Sequence, residues 1–201
     1  MKLKSRTQAV RRATTRRLLL DATIEMLMDS GLSACSLAAV AKRAGMTTGA
    51  VQHHFNTKDE LMRAVIAERL FAVEQSFDWD AMVNLSVAER CKRMIAYQWD
   101  FYENPKYLAM WDIILGARTE DLIQNEIREW QRSGTRAFER SIVKAFPDQN
   151  LTRSDAAAIQ YFLNGHLRGL ALLRTVEDDP NIIKQQLDML RALLAEYIQS
   201  R

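Results

Sequence analysis

Residues 47 to 54, TTGAVQHH, carry hydroxyl, amide and imidazole side chains in one short stretch. Gln52 can donate and accept hydrogen bonds at the edge of an adenine base. The adjacent histidines His53 and His54 also raise the question of a metal site. Because neighbours on a helix point about 100° apart, the two imidazoles do not face one ion, and we expect no metal there.

Signals that start and stop helices surround this stretch. The apolar spacing predicts a first helix over residues 12–30, which Gly31 ends. Ser36 is placed to cap a second helix over 37–44, and Gly45 suits the left-handed residue that follows a helix. Thr47 can then cap a third helix over 48–55, which leaves the second at a sharp angle. These start and stop signals predict a helix-turn-helix, with an ordinary turn between two structural helices as the alternative.

A fourth helix is predicted to begin at the capping box Thr57-Lys58-Asp59-Glu60 and to run to about Phe77. On the third helix Val51 and Phe55 lie four residues apart and should pack inward. The exposed face is then formed by Thr48, Gly49, Gln52 and His53, with His54 beside the edge of the core and with Lys42 and Arg43 pointing outward from the second helix.

Positive charge is concentrated in the first part of the chain. The net charge is +3, but residues 1–60 hold ten lysines and arginines against five acidic residues. Seven basic residues and no acidic one lie within residues 1–17, which is typical of an arm that contacts phosphates through residues such as Lys4 and Arg6. A solvated, disordered tail remains the alternative.

The sequence of residues 12–62 resembles that of the DNA-binding domain of the TetR family of bacterial transcriptional regulators. The family pattern is an LAAVAKRAG-like stretch, a Ser/Thr cap, a glycine, a tyrosine, His-Phe and a Lys-[Asp/Glu]-Glu-Leu helix start. The matching residues are Ala41, Ala44, Gly45, Thr47, Gly49, His54, Phe55, Lys58, Glu60 and Leu61.

The resemblance implies that Thr47, Thr48, Gly49, His53 and His54 face the operator and that Lys58 contacts a phosphate at the positive N-terminus of the fourth helix. This chain departs from the family at Gln52, where a tyrosine is usual, and at Thr48, where a lysine is common. Gln52 is therefore proposed as a DNA contact on geometry alone.

The remainder of the chain also predicts helices, over 86–103, 106–115, 120–146, 154–175 and 180–200, and no strands. We therefore expect an all-α protein with a helix-turn-helix DNA-binding domain over 1–62, including the basic arm, and a helical ligand-binding and dimerisation domain over 63–201. The short turn after residue 175 makes the last two helices an antiparallel hairpin.

By resemblance, this hairpin pairs with that of a second chain to form a homodimer. The apolar residues predicted at the interface are Leu167, Leu170, Leu187, Leu190 and Leu194. The alternative is that the hairpin only closes the core of one chain. A dimer would hold two recognition helices about 34 to 36 Å apart, which predicts a pseudopalindromic operator on double-stranded DNA.

Aromatic and imidazole side chains in the middle helices are candidates for the wall of an apolar ligand cavity. The predicted ligand-binding residues are Trp99, Tyr102, Trp111, Trp130, Phe138 and His166. Ordinary core packing explains most of them equally well.

Other classes of protein are disfavoured. Neither a signal peptide nor an 18-residue apolar run is present, so we expect a cytoplasmic, nucleoid-associated protein that does not contact the membrane. Cys35 and Cys91 lack metal-ligand spacing and should be buried thiols. No catalytic motif, catalytic residue or cofactor signature is found, so we expect neither an enzyme nor a cofactor.

The favoured function is a dimeric regulator that releases its operator when an unidentified small molecule binds. The family resemblance implies a repressor, and an activator is the alternative. The alternative is an architectural, sequence-tolerant DNA-binding protein without a ligand switch.

Removing residues 1–10 tests the basic arm. If Lys2, Lys4 and Arg6 contact phosphates, the truncated protein should bind every DNA sequence more weakly, and its affinity should depend less steeply on salt concentration. A salt slope equal to that of the full chain would show that the arm takes no part in binding.

Overall fold

The computed structural model describes residues 2–67, 77–116 and 121–201, except for the side chains of residues 2–7, 121–123, 126 and 130. These residues form helices and no strand, which confirms the all-α prediction. The helices are α1 (Lys2–Ala34), α2 (Leu37–Arg43), α3 (Thr48–Gln52), α4 (Lys58–Val65), α5 (Val87–Tyr102), α6 (Pro105–Gly116), α7 (Asp121–Ala145), α8 (Arg153–Leu173) and α9 (Pro180–Gln199).

Two helix ends differ from the prediction. Helix α1 begins ten residues early, at Lys2, because the basic arm contains good helix formers and no breaker. Helix α3 ends at Gln52 instead of residue 55, since the amide of His54 already bonds three residues back, to Val51. The predicted extension of the fourth helix to Phe77 runs beyond the described residues.

Gly31 interrupts α1, as predicted. Its φ of 71° lies in the left-handed region, and the chain kinks there before a last short stretch up to Ala34. The backbone of that stretch therefore leaves the axis of the long helix.

The described residues pack as two compact units. The first is drawn from residues 1–73 and 105–127, and the second from 74–104 and 128–201. Compactness alone does not define a functional domain, so the boundary after residue 62 stays a prediction.

The first unit is built around α1, which contacts α2, α4 and α6. Its core includes Leu19, Val40 and Phe55, each with no exposed surface. Burial of one such side chain contributes about 1.5 to 3 kcal/mol. The orientation of α2 and α4 therefore depends on packing against α1, and α3 packs on α2.

Leu32, just beyond the kink, joins three parts of this unit. Its carbonyl accepts a hydrogen bond of 2.7 Å from the Lys58 ammonium at the start of α4. Its side chain lies against Gly116 at the end of α6, where a Cβ would be 2.1 Å from the Leu32 Cδ2. A larger residue at position 116 would therefore force the Leu32 side chain to move.

The second unit is held by a buried arginine. Arg90 on α5 is 4% exposed, and its guanidinium donates to the carbonyls of Val83, Leu85 and Ala145. Both carboxylate oxygens of Asp148 accept from the same guanidinium. All five donors are used, so the cation is buried without a lost hydrogen bond. The interaction holds the pKa of Asp148 below its ordinary value, chiefly through the hydrogen bond from Arg90.

Helix α5 packs on α8 and α9, and a capping box starts α8. The Thr152 hydroxyl accepts from the Asp155 amide, and the Asp155 carboxylate accepts from the Thr152 amide. Sequence reading placed this start one residue late. Both cysteines are buried as predicted, and burial raises the pKa of Cys91 to about 12.

The hairpin of α8 and α9 has two apolar faces. The face predicted to form the dimer interface is buried in this chain, where the five leucines are 0–7% exposed. They are Leu167, Leu170, Leu187, Leu190 and Leu194. A second face exposes large apolar side chains to solvent. These are Tyr161, Phe162, Leu172, Leu173, Met189 and Leu193, which we call the outer hairpin face.

We predict that Arg90→Ala lowers the free energy of unfolding by about 3 kcal/mol, because three carbonyls and one carboxylate lose their donor. Arg93→Ala on the same helix is the control, since Arg93 is exposed and bonds only to Glu89 at i,i+4. Its loss should change stability by no more than about 0.5 kcal/mol. Urea unfolding followed by tryptophan fluorescence measures both; equal losses would contradict the assigned role.

We also predict that Lys58→Met destabilises the protein by about 1 kcal/mol, since the Leu32 carbonyl loses its donor. Lys42→Met, at an exposed lysine, should leave stability unchanged. Thermal unfolding measures the difference. Equal melting temperatures for the Lys58→Met and Lys42→Met variants would show that the hydrogen bond from Lys58 to Leu32 contributes nothing to stability.

Candidate DNA-binding surface

The turn between α2 and α3 is fixed by backbone hydrogen bonds. The Met46 amide donates to the Ala41 carbonyl at 2.8 Å, and the Gly45 amide donates to the Lys42 carbonyl at 3.2 Å. Gly45 has a φ of 67°, as predicted for a left-handed cap. This is a Schellman motif, which ends α2 abruptly and lets the chain turn at once into α3.

Side-chain caps then set the start of each helix. The Thr47 hydroxyl accepts from the Ala50 amide at 3.2 Å, and the Ser36 hydroxyl does the same for α2. The Thr57 hydroxyl accepts from the Glu60 amide, as predicted. The Glu60 carboxylate reaches the Asn56 amide, one residue before the predicted partner, so the capping box is only half formed.

Helix α3 presents a polar face to solvent. Val51 and Phe55 are fully buried, whereas Thr48, Gly49 and Gln52 are exposed. His53, the cap residue at the end of α3, is exposed as well. The structure therefore brings the predicted exposed residues onto one surface, with Thr47 as the cap at its edge. Thr48, Gln52 and His53 place a hydroxyl, an amide and an imidazole within six residues of this surface. These groups are suited to hydrogen bonds with base edges.

His54 lies half-buried beside two arginines of α1. The guanidinium of Arg16 sits over the Phe55 ring, 4.5 Å from its centroid. Burial lowers the pKa of His54 first, and the charges of Arg12, Arg16 and His53 lower it further. Arg12 and Arg16 therefore belong to this surface. Sequence reading missed them, although their i,i+4 spacing on the first helix places them on one face.

The other predicted contacts differ in how they are held. Lys42 is exposed. Arg43 donates to Asp29 at 2.8 Å and lies 3.7 Å from Glu25, so its charge is already paired with α1. Lys58 bonds to the Leu32 carbonyl. The backbone of Lys4 and Arg6 is helical, and their side chains lie outside the described residues.

The predicted ligand-binding residues are distributed over both units. Trp99 and Tyr102 are buried in the second unit, where Phe138 and His166 are half-buried. Trp111 is half-buried in the first unit, and the side chain of Trp130 is not described. Their contacts within the second unit include a hydrogen bond from the Tyr102 hydroxyl to Asn164 and a stack of His166 on Phe162. Burial lowers the pKa of His166.

Among the side chains that the structure describes, no group of three or more His, Cys, Asp or Glu residues is placed to hold a metal ion. The helices within residues 2–67, 77–116 and 121–201 are also too short or too polar to cross a membrane.

Comparison of the sequence with known proteins centres on the same region. Residues 19–65 match the profile of the bacterial regulatory proteins of the tetR family. The transcriptional regulator SrpR of Pseudomonas putida is 30% identical over 125 residues, which are 61% of this chain and 57% of that protein. The regulator BetI of Paraburkholderia phymatum is 28% identical over 200 residues, which cover 92% of this chain and 95% of BetI.

Solved structures share the fold of nearly the whole chain. A TetR transcriptional regulator from Agrobacterium tumefaciens has a TM-score of 0.73 at 14% identity, covering 92% of this chain and 94% of its own. A transcriptional regulator from Saccharomonospora viridis in complex with choline has a TM-score of 0.64 at 16% identity, with coverages of 93% and 96%. Because the profile match falls on the helix-turn-helix and the relatives are regulators rather than enzymes, the chain belongs to the TetR family of DNA-binding transcriptional regulators.

Proposed function

We propose that the protein is a homodimeric repressor that binds a pseudopalindromic operator through α3 and releases it when a small molecule binds. The observation that carries the DNA-binding part is the capped α3, which exposes Thr48, Gly49, Gln52 and His53 beside the cations of α1. We further propose that it acts in the cytoplasm, at the nucleoid.

Base reading is assigned to Gln52 and His53, and backbone contact to the residues around them. A glutamine amide can form two hydrogen bonds with adenine, which discriminates it from the other bases. Gly49 leaves room for the DNA phosphate backbone to approach. Even a Cβ built at this position would have no protein atom closer than 4.0 Å. Thr47, Thr48 and His54 are proposed as further contacts at the edge of the surface.

Phosphate contact is proposed for Lys4, Arg6, Lys42, Arg43 and Lys58. Of these, Lys42 is exposed on α2, next to the turn into α3. Arg43 and Lys58 have protein partners, so a phosphate must compete with Asp29 or with the Leu32 carbonyl. We therefore expect Lys42 to contribute more to DNA affinity than either of them, and we add Arg12 and Arg16 as contacts.

The outer hairpin face is our proposed dimer interface, in place of the leucines predicted from the sequence. Phe162 is 48% exposed and Leu193 51% exposed, which is unusual for such large apolar side chains clustered on two adjacent helices. Gly165 and Gly169 lie on the same side of α8, and a Cβ at either would meet no atom within 4 Å. A second hairpin can therefore approach closely and cover this surface.

The effector is proposed to be a small molecule bound by the second unit. The Saccharomonospora viridis regulator of the same fold was solved with choline, which shows that one protein of this architecture takes a small ligand. Trp99, Tyr102, Phe138 and His166 are the proposed contacts there, whereas Trp111, which lies in the first unit, and Trp130, whose side chain is not described, stay predictions from the sequence. A ligand that binds the DNA-free conformation tenfold more tightly shifts the equilibrium by about 1.4 kcal/mol.

Gln52→Ala and His53→Ala test base reading. Each should weaken specific binding by about 1 to 3 kcal/mol and leave binding to random DNA nearly unchanged. Binding isotherms on operator and scrambled duplexes at one salt concentration give the comparison. If affinity falls equally on both duplexes, the two residues contact the backbone instead.

Leu193→Glu and Phe162→Glu test the interface. In a two-fold dimer each substitution appears twice and places charge in an apolar contact, so the dissociation constant of the dimer should rise at least about 100-fold. Met28→Glu, at a methionine 46% exposed on α1, is the control and should not change assembly. Sedimentation equilibrium measures the association. Unchanged assembly of both hairpin variants would contradict the proposed face.

The experiment that tests the whole proposal is selection of bound fragments from a random DNA pool. A pseudopalindrome that binds two chains at least about 1000-fold more tightly than scrambled DNA supports the regulator. A protein that enriches no sequence but binds DNA with a steep salt dependence would be architectural instead. The selected operator then serves to screen small molecules for release.

A further inference from the structure

We propose a second ligand site, on the exposed side of α7, for a small polyanion. It consists of Arg132, Arg136 and Arg140, called the groove arginines here, together with Ser133 and Glu129. These residues line a groove of about 330 Å³. The site is independent of the operator and of the effector proposed above.

The spacing of the groove arginines brings three cations onto one side of the helix. Residues four apart in an α-helix lie on the same face and are separated by about 6 Å along the axis. All three side chains are exposed. Like charges at this spacing repel and destabilise a helix slightly, so an anion bound between them would relieve that repulsion.

Pairing of charges distinguishes this site from its surroundings. Within the described residues the groove arginines have no ion pair. Several other cations of the same unit lie beside carboxylates, as seen for Arg93 with Glu89, Lys144 with Asp80, Arg174 with Glu103 and Arg191 with Asp188. The groove arginines therefore retain their full capacity to bind an external anion.

The chemistry of the lining defines the ligand class. Guanidinium groups form paired hydrogen bonds with phosphate and carboxylate, and a 6 Å repeat suits anionic groups on a short carbon skeleton. Ser133 adds a hydroxyl donor. Glu129, one turn before Arg132, repels an anion at that end, so the anionic groups are confined to the stretch from Arg132 to Arg140. Hence the ligand carries at least two phosphate or carboxylate groups and no large apolar body.

Isothermal titration calorimetry on the full chain without DNA tests this proposal. Pyrophosphate and citrate are the probes, acetate is the monoanionic control, and all titrations are made at 0.15 M NaCl. We expect saturable binding of one pyrophosphate or citrate per chain and no saturation by acetate. Absence of saturable binding by both polyanions would overturn the proposal whatever the protein does with DNA.

Variants separate the site from general positive charge. R132Q/R136Q/R140Q should weaken binding at least about 30-fold, because three charge-assisted contacts are lost. K92Q/R93Q/K184Q removes the same charge from other exposed positions and should bind like the parent. R132K/R136K/R140K keeps the charge without the planar fork and should bind with intermediate affinity.

Two outcomes would contradict the proposed polyanion site. Equal weakening by both glutamine variants would show a diffuse electrostatic effect. Competition of a random DNA duplex for the polyanion site would show that the groove arginines bind the nucleic-acid backbone. Far-ultraviolet circular dichroism and thermal unfolding confirm that each variant is folded, and the single variant Arg136→Gln provides a milder change if the triple variant is unstable.

Discussion

Burial of Val51 and Phe55 is the constraint on which the candidate DNA-binding surface depends. A helix of five residues has too few internal hydrogen bonds to form alone in water. Helix α3 exists because these two side chains are fully enclosed and because Thr47 satisfies an amide at its start. The inner side of α3 therefore supplies its stability, and the polar residues on the outer side are not needed to hold the helix in place.

The features that sequence predicted well are local ones. The caps at Ser36, Thr47 and Thr57 and the left-handed Gly45 depend on residues two to five apart, so their geometry follows from the sequence order. The helices of the second unit were also located within about two residues at each end, because their apolar periodicity is strong.

Features that depend on distant residues were missed. Nothing near Arg90 in the sequence indicates that it bonds to Asp148, 58 residues away. The placement of Arg12 and Arg16 beside His54 likewise requires the fold. The hairpin shows a different limit, since an apolar stripe indicates burial but not by which chain. The more regular leucine stripe proved to be internal, and the residues left exposed are a mixed set of aromatic and aliphatic side chains.

A count of charged residues does not tell which cations remain available to a ligand. Arg43 is paired with acidic residues of α1, Lys58 holds a carbonyl, and Arg90 is buried with all its donors used. These cations stabilise the fold. Only the structure separates them from exposed cations such as Lys42 and the groove arginines, and both proposed binding surfaces rest on that separation.

The contact between Leu32 and Gly116 has a genetic consequence. Gly116 is far in sequence from the helix-turn-helix, yet a Cβ there would overlap the side chain of Leu32 and force it into another rotamer. The same residue supplies the carbonyl that holds Lys58 at the start of α4. A screen for loss-of-function mutants should therefore recover substitutions at position 116 that alter no exposed residue of α3.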